Sequence, residues 1–256
     1  MRSLIAFIRK DVTEQIRTGK LTFLGILFVL FGIMNPAVAK LTPWLLEMFS
    51  ESLEGTGVVI TGVTVTAMDS WVQFFKNIPM ALIAFVLLEN GIFTKEYASG
   101  TLILSLTKGL ERFKVVISKA LVMLVLWTVG YFACFFITYA YNAYFWDNSI
   151  AQNLIFSVVC YWIFGIFVIM LTVILSVITS AGTGVLLGTG GAVLALYIVS
   201  FIPRVSKYLP IKLTDGTSLI YGTADAKEYI AALIITLAVS IVCFAVSIPL
   251  FNKKQL

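Results

Sequence analysis

Residues 94–119 read TKEYASGTLILSLTKGLERFKVVISK and separate two long apolar runs of the chain. The stretch holds seven of the chain's charged side chains, of which 18 are basic and 13 acidic in all. Two glycines, Gly100 and Gly109, interrupt its helical pattern. A charged segment punctuated by glycine, lying between apolar runs, indicates a place where the chain leaves an apolar environment and meets water.

The composition around this stretch is that of a membrane protein. The 256 residues are 60% apolar and only 12% charged, with a mean hydropathy of +1.00, whereas a soluble domain carries about 25% charged residues. Several apolar runs approach the length that crosses the hydrocarbon core of a bilayer. The net charge of +5 is modest and its basic residues lie beside the apolar runs, so no nucleic-acid partner is predicted.

The sequence therefore predicts an all-α integral membrane protein with one domain over residues 1–256. An interfacial helix is expected within residues 1–20, and an elbow is expected over residues 94–114, between the second and third spans. The six predicted transmembrane helices cover about residues 21–39, 74–93, 115–141, 154–179, 184–202 and 229–250.

The N-terminal segment carries an amphipathic pattern. Leu4, Ile8, Val12 and Ile16 recur every four residues, and the opposite face takes Arg9, Lys10, Asp11, Glu14 and Arg17. Such a basic amphipathic helix lies flat in the membrane interface. Whether it only anchors the N-terminus or also docks a partner is left open by the pattern.

Prolines are expected to interrupt the first span. Pro36 lies near its far end, where it should kink the helix or end its regular hydrogen bonding. Thr42-Pro43 follows and predicts a new helix that begins with a capping threonine and a proline in its first turn.

Glu89 is an ionisable residue inside the second predicted span. A carboxylate that faces lipid in the middle of a bilayer costs about 2.5 to 3.5 kcal/mol, and less near the interface. The side chain is therefore expected to face protein or water. Its position fits a functional role and a structural one equally well.

The elbow itself has an apolar seam that is broken once. Ile103, Leu106, Leu110 and Phe113 follow one another at helical spacing, and Gly109 interrupts them. The pattern predicts two short helices that meet at a Lys108-Gly109 turn, where glycine relieves backbone strain.

The distribution of basic residues predicts which side each end of the chain faces. Of the 18 lysines and arginines, 12 fall on the side of the termini and the elbow, and six on the other side. The positive-inside rule then places both termini and the elbow in the cytoplasm, with the protein in the cell membrane. The loop after the fifth span runs against the rule, because it carries four basic residues.

Several chemistries are disfavoured by what the sequence lacks. It has no histidine, and its three cysteines (Cys134, Cys160 and Cys243) all fall inside apolar runs. The sequence therefore predicts no metal site, no disulfide framework and no membrane enzyme. It also has no G-x-x-x-x-G-K-[ST] motif, so it is expected not to hydrolyse ATP by itself.

The elbow resembles that of ABC transporter permeases of the type-2 export class. In that class an acidic residue stands four before a Gly-Thr pair, a Lys-Pro-x-x-Arg turn follows, and Ser-Lys or Gly-Lys enters the third span. Gly109 stands where proline is usual, which leaves a turn but changes its stiffness. The stretches 7–11, 15–17 and 35–43 also look like this class, so the resemblance covers the whole chain. The matching elbow positions are Glu96, Gly100-Thr101, Lys108-Gly109-Leu110-Glu111-Arg112 and Ser118-Lys119.

The resemblance implies a permease that pairs with a second one, identical or homologous, and with two copies of a cytoplasmic ATP-binding subunit. ATP and Mg would be used by that subunit, and no cofactor would be bound by this chain. The elbow would be the coupling helix, with Glu96 orienting it through a salt bridge or helix cap and Arg112 and Lys119 fixing its return to the membrane. Other structural or interface positions are Arg9, Arg17, Pro36 and Glu89. The expected contacts with the ATP-binding subunit are Lys95, Glu96, Gly100, Thr101, Lys108, Gly109, Glu111 and Arg112.

The leading hypothesis for function is the membrane half of an ATP-driven exporter. Its mostly apolar spans suit an amphipathic or hydrophobic cargo, such as a peptide toxin, an antibiotic or a lipid. The alternatives are extrusion of sodium or another ion by the same class, and a gradient-driven secondary transporter or channel. Acidic pairs inside the spans would favour an ion path, and broken helices or repeats a secondary transporter. Only Pro36 interrupts a span strongly.

Overall fold

In a computed structural model, the regular structure is helical throughout the described residues, 2–52, 64–107 and 109–254. Two short 3₁₀ turns, Asn148–Ile150 and Pro210–Thr214, join longer elements at one end of the bundle. The α-helices are α1 (Arg2–Arg17), α2 (Lys20–Ser52), α3 (Ala67–Glu89), α4 (Gly91–Ser99), α5 (Thr101–Thr107), α6 (Arg112–Phe145), α7 (Leu154–Ile178), α8 (Gly182–Val199), α9 (Pro203–Ser206), α10 (Gly216–Ile220) and α11 (Lys227–Lys253).

The prediction of an all-α membrane protein with six spans is confirmed for the described residues. The 34 residues of α6 extend about 50 Å at 1.5 Å per residue, against a hydrocarbon core of about 30 Å. This helix is therefore long enough to project beyond the bilayer. The stretches long and apolar enough to cross a membrane are Lys20–Leu45, Ala67–Ser99, Arg112–Phe145, Leu154–Ile178, Gly182–Val199 and Lys227–Lys253.

Helix α7 lies at the centre of the bundle and packs against α6, α8 and α11. Glycine permits the closest of these approaches. A Cβ on Gly165 of α7 would lie 2.3 Å from the ring of Trp127, and one on Gly130 of α6 would lie 2.3 Å from the ring of Phe28. Small residues at such positions allow van der Waals packing between helices, which holds them together where lipid supplies no hydrophobic drive.

The expectation of a new helix that begins at Thr42-Pro43 was wrong, because α2 runs through Pro36 and Pro43 to Ser52. Proline removes the N–H that would have bonded to the carbonyl of Gly32. The Thr138 hydroxyl from α6 donates to that carbonyl instead, at 3.0 Å. Asn35 Nδ2 donates to Thr138 Oγ1 at 3.1 Å, and Asn77 Nδ2 donates to Asn35 Oδ1 at 2.8 Å. Neighbouring helices thus supply the bond that the proline removes.

The elbow also differs from its prediction in where it bends. The two short helices α4 and α5 meet at Gly100, whose φ of +66° is left-handed, and not at the Lys108-Gly109 turn. Gly109, with φ +90°, lies in the next turn, between α5 and α6. Each glycine adopts a backbone conformation that other residues rarely take. Lys108 itself lies outside the described residues.

Candidate functional site

The helix α1 presents a polar stripe to the rest of the protein. Phe7, Asp11 and Gln15, spaced four apart, are buried against the start of the bundle. Leu4 and Ile8 of the predicted apolar face are half-buried, whereas other apolar side chains of α1 face outwards, which leaves them available to an interface. The exposed ones are Ile5, Val12 and Ile16.

Glu96 of α4 lies at the centre of a group of charges, which we call the ion cluster (Lys10, Asp11, Glu96 and Lys119); all but Lys10 are buried. Its side chain is 4% exposed and that of Lys119, from α6, is 1% exposed. Lys119 Nζ lies 3.1 Å from Glu96 Oε1 and 3.6 Å from Asp11 Oδ1. Lys10 of α1 donates a hydrogen bond to the same Glu96 oxygen. Three helices therefore meet through one carboxylate.

The ion cluster balances two positive charges against two negative ones. Taking charges out of water is costly unless each is paired, and this balance explains how Lys119 can be almost fully buried. The second oxygen of Glu96, Oε2, is buried without a hydrogen-bond partner in the described part of the chain. The pairing therefore fixes geometry rather than adding a large net stability.

Asp11 is a member of the ion cluster whose ionisation is affected by burial. Burial raises the pKa of its carboxyl group, and this effect exceeds the opposing effects of the Lys119 ammonium and the Ser118 hydrogen bond. Ser118 Oγ donates to Asp11 Oδ2 at 2.9 Å. The neighbouring pair Ser118-Lys119 thus contacts one carboxylate through a hydroxyl and a charge.

A second carboxylate lies seven residues earlier, on the other side of the α3–α4 junction. Glu89 is fully buried; Gln15 Nε2 donates to its Oε2 at 2.6 Å, and Lys20 Nζ lies 3.5 Å from its Oε1. Glu89 therefore faces protein, as its cost in lipid requires. Together, Glu89 and Glu96 bind α1 to both sides of the junction at Asn90.

The carboxylates of Asp11, Glu14 and Glu96 approach one another within 4.8 Å, a grouping that spacing along the chain does not reveal. Carboxylate oxygens are ligands for hard cations. Here the ammonium groups of Lys10 and Lys119 already contact all three of these carboxylates. The arrangement is therefore better described as an ion-pair network, and the expectation of no metal site stays a prediction.

Arg112 fixes the return of the elbow by holding the end of the last span. Its Nη1 donates to the carbonyl oxygens of Phe251, Asn252 and Lys254 at 3.1, 3.2 and 2.6 Å. The last carbonyls of a helix have no partner within it and carry partial negative charge. The Arg112 guanidinium supplies these carbonyls with both hydrogen-bond donors and a positive charge.

Lys254, which follows α11, contacts the carbonyls at the end of α7 in a similar way. Lys254 Nζ donates to the carbonyl oxygens of Val177 and Thr179 at 2.8 and 2.9 Å. It also lies 4.2 Å from the ring centroid of Tyr97 in α4, and the Tyr97 hydroxyl donates to Ser176 O at 3.2 Å. Burial lowers the pKa of the Lys254 ammonium. The elbow is thereby joined to α7 and α11 at the same end of the bundle, which we call the elbow end.

The other predicted contact residues lie at the surface. Gly100 is half-buried, Gly109 is exposed in its turn, and Arg9 and Arg17 are exposed on α1. Pro36 is buried far from the elbow, in the middle of α2. We call the following exposed side chains of the elbow the elbow patch: Lys95, Thr101, Ile103, Leu104, Glu111 and Phe113.

Sequence reasoning did not identify the partners of the predicted residues. Asp11 and Lys10 were assigned only to a polar helix face, and Gln15, Lys20 and Lys254 were given no contacts. A signal for the first group was present, because Phe7, Asp11 and Gln15 share one stripe with a period of four. No local pattern marks Lys254, because its contacts lie 75 and 77 residues away.

Comparison with known families agrees with this arrangement. The family model described as ABC-2 family transporter protein matches residues 5–256. The chain belongs to this family. It is also 22% identical over 215 residues to the uncharacterized transmembrane protein YxlG of Bacillus subtilis (strain 168), which covers 83% of each chain.

Membership of the ABC-2 family assigns the chain a role in membrane transport. The chain is a multi-pass membrane protein and a permease subunit of an ABC transporter, and the family implies an ATP-binding partner. Permeases of this family are transport subunits that normally lack the ATPase. In this permease, buried charged residues and the ends of α7 and α11 lie together at the elbow end.

Proposed function

We propose that this ABC-2 permease forms the translocation path of an ATP-driven exporter and receives the motion of a cytoplasmic ATP-binding subunit through its elbow. The observation that carries the proposal is the contrast between the two sides of the elbow. Its inner side is bound by the ion cluster to α1 and α6, while its outer side leaves apolar residues exposed.

The inner contacts make the elbow mechanically continuous with the spans. Glu96 is paired to α1 and α6, Tyr97 bonds to α7, and Arg112 bonds to the end of α11. A displacement of α4 by a few ångströms cannot leave these helices in place, because their charges would then be buried without partners. Such an element can transmit partner motion into helix packing.

The outer contacts suit a protein partner. Leu104 is 63% exposed, and Ile103 and Phe113 are also exposed. Exposed apolar side chains accompanied by charged ones are typical of protein interaction sites, and Glu111 lies two residues from Phe113 in the sequence. We assign this elbow patch to the ATP-binding subunit, with one such subunit below each of two permeases.

The cargo in this proposal is amphipathic or hydrophobic. The mostly apolar spans favour it over extrusion of sodium, and the elbow end faces the cytoplasm by the distribution of basic residues. Cargo would then move from the cytoplasmic side outwards.

The proposal is tested by purifying the permease from its native membranes in a mild detergent and identifying what remains bound. We expect a soluble subunit that carries a phosphate-loop motif, and we expect the complex to hydrolyse ATP. Leu104→Glu should remove that subunit and the ATPase activity, because it places a charge in the centre of the elbow patch.

The matched control is Leu104→Met, which keeps the volume and polarity of the side chain and should retain the subunit. Neither change touches the ion cluster, so both variants should fold. Purification of the wild-type permease alone, with solute exchange in vesicles that needs no ATP, would contradict the proposal.

A further inference from the structure

A cavity of about 540 Å³ opens on the side of the bundle between α3, α7 and α8. Its volume lies within the range of small-molecule sites, about 300 to 1,000 Å³. The 3₁₀ turn Pro210–Thr214 closes one end, away from the elbow. The side chains that define its length include Leu82, Leu87, Tyr161, Leu186, Tyr197 and Thr214.

The cavity changes character along its length. Its elbow-side half is lined by aliphatic residues, such as Leu87 near the end of α3 and Leu186 near the start of α8. Its far half has further aliphatic side chains together with the hydroxyl groups of Tyr161, Tyr197 and Thr214. The hydroxyl of Thr189, near the middle of α8, already pairs with Thr172. No charged side chain of the described residues lines it. An occupant with an ionised group would therefore be desolvated there without a partner.

Tyr161 supplies the specific observation. Its side chain is 1% exposed, and its ring stacks on Tyr131 with an interplanar angle of 4°. The Tyr131 hydroxyl donates to Val158 O at 2.8 Å. The Tyr161 hydroxyl forms no hydrogen bond within the described part of the chain, and its oxygen is not one of the fully enclosed polar atoms left without a partner there. A buried tyrosine normally finds a partner. Here the free hydroxyl belongs to a residue that lines the cavity.

We propose that the cavity binds an uncharged amphiphile with a single alkyl chain. The chain lies along the aliphatic half, and a hydroxyl, ester or amide oxygen of the head group accepts a hydrogen bond from Tyr161. That such a molecule is the transported cargo rests on the proposed exporter function; its binding does not.

The test uses the full-length permease in phosphatidylcholine nanodiscs with a photoactivatable monoalkylglycerol, which carries a diazirine in its chain. We expect labelling of α3, α7 and α8 that is saturable and is removed by unlabelled monoalkylglycerol. A photoactivatable alkyl carboxylate of the same chain length, ionised at the pH of the assay, should label the cavity at least about tenfold less, because its charge finds no partner.

Two neighbouring glycines provide matched variants. Gly190 lines the cavity and Gly191 does not, and an added Cβ would meet nothing within 4 Å at either position. Gly190→Leu should reduce labelling by at least about tenfold, because it fills the space that the chain needs. Gly191→Leu adds the same side chain to the same helix and should leave labelling unchanged.

Tyr161→Phe tests the hydrogen bond separately, because it keeps the stacked ring. We expect about a fivefold loss of labelling by the monoalkylglycerol, the equivalent of one hydrogen bond, and no change with a photoactivatable alkane that lacks a head group. Equal losses for both probes would overturn the role of the hydroxyl.

The labelling experiment also distinguishes other occupants of the cavity. Unsaturable labelling, equal to that of other lipid-facing helices, would show ordinary bilayer lipid and overturn the proposal. So would ready disulfide formation between two copies through Leu194→Cys, which lines the cavity, with no labelling in the dimer. None of these measurements needs ATP, so a failure here leaves the exporter proposal standing, and the absence of an ATPase leaves the binding result standing.

Discussion

Burying the charge of Glu96 or of Lys119 alone would cost considerable free energy, and pairing the two charges offsets that cost. Each is almost fully buried, and they come from different helices. Removing one charge leaves the other without adequate compensation, whereas removing both relieves the cost of burying either. The role of the pair is then to fix where α4 stands against α6.

The first prediction is that Glu96→Gln lowers the free energy of unfolding by about 3 kcal/mol, because Lys119 then keeps only the more distant Asp11 carboxylate. Lys119→Met in the same chain should recover most of that loss. Unfolding in detergent micelles, measured for both single variants and the double variant, gives the coupling energy. Strictly additive losses would show that the two charges do not interact.

The second prediction compares two adjacent lysines. Lys254→Ala should destabilise the protein by about 1 kcal/mol, because the last carbonyls of α7 lose a charged donor. Lys253→Ala should have no measurable effect, since that side chain is exposed. Thermal unfolding of both variants at equal protein and detergent concentration makes the comparison. Equal destabilisation would show that the assigned contacts of Lys254 are not formed.

At this scale the sequence identified the important residues but not their partners. Glu96, Glu89, Arg112 and Lys119 stood out because charges are rare in this chain. Their partners lie from 23 residues away (119 − 96, for Lys119 with Glu96) to 142 residues away (for Arg112 with Lys254). Helical spacing reports only which side chains share a face, so contacts of that range depend on how helices pack.

At the scale of a helix, α2 shows how a proline is accommodated without a break. Pro36 leaves the Gly32 carbonyl without its usual helical hydrogen bond, and the Thr138 hydroxyl donates to that carbonyl instead. The third prediction is that Thr138→Val costs about 1 to 2 kcal/mol in the wild type, because this carbonyl then has no donor. In a Pro36→Ala chain the helix supplies its own N–H, so the same change should cost less. Unfolding of the four proteins tests this, and an unchanged cost would contradict it.

The turn at Gly109 carries the fourth prediction. Proline is usual at this position in the class that the elbow resembles, but proline fixes φ near −65° and has no N–H. Here φ is +90°, and the Gly109 N–H donates to Leu106 O at 3.0 Å. Gly109→Pro is therefore expected to destabilise the elbow by about 3 kcal/mol or more, measured as faster proteolysis between α5 and α6. Resistance equal to that of the wild type would show that the turn can take the usual form.

Element boundaries could be predicted where composition changes sharply, and not elsewhere. The glycine at 109 predicted a turn because its residue type is unusual within an apolar seam. The continuity of α2 was missed because Thr42-Pro43 has the chemistry of a helix start, and because the contacts from α3 and α6 near Pro36 are not visible in the sequence. The candidate cavity was likewise not predicted, since its lining comes from three helices that are distant in sequence.

For the whole molecule, the distribution of basic residues makes a prediction about sidedness. Thr101 lies on the elbow, and Tyr221 lies beyond α10 at the opposite end of the bundle; both are exposed. In a cysteine-free background, Thr101→Cys should react with a membrane-impermeant maleimide only in inverted vesicles, and Tyr221→Cys only in intact cells. Reaction of both from one side would contradict the six-span arrangement, and a full exchange of sides would reverse the orientation.

The bond between Arg112 and the end of α11 also constrains how the protein is made. Arg112 leaves the ribosome about 140 residues before the carbonyls that receive it. Until α11 has been synthesised and inserted, the guanidinium has no partner and the elbow lacks one of its fixed points. A biogenesis intermediate that ends before this helix would therefore present a loosely held elbow, which membrane proteases and insertion factors can distinguish from that of the finished permease. The contact between Arg112 and the end of α11 would in that way distinguish a permease whose last helix has been inserted from one whose last helix has not.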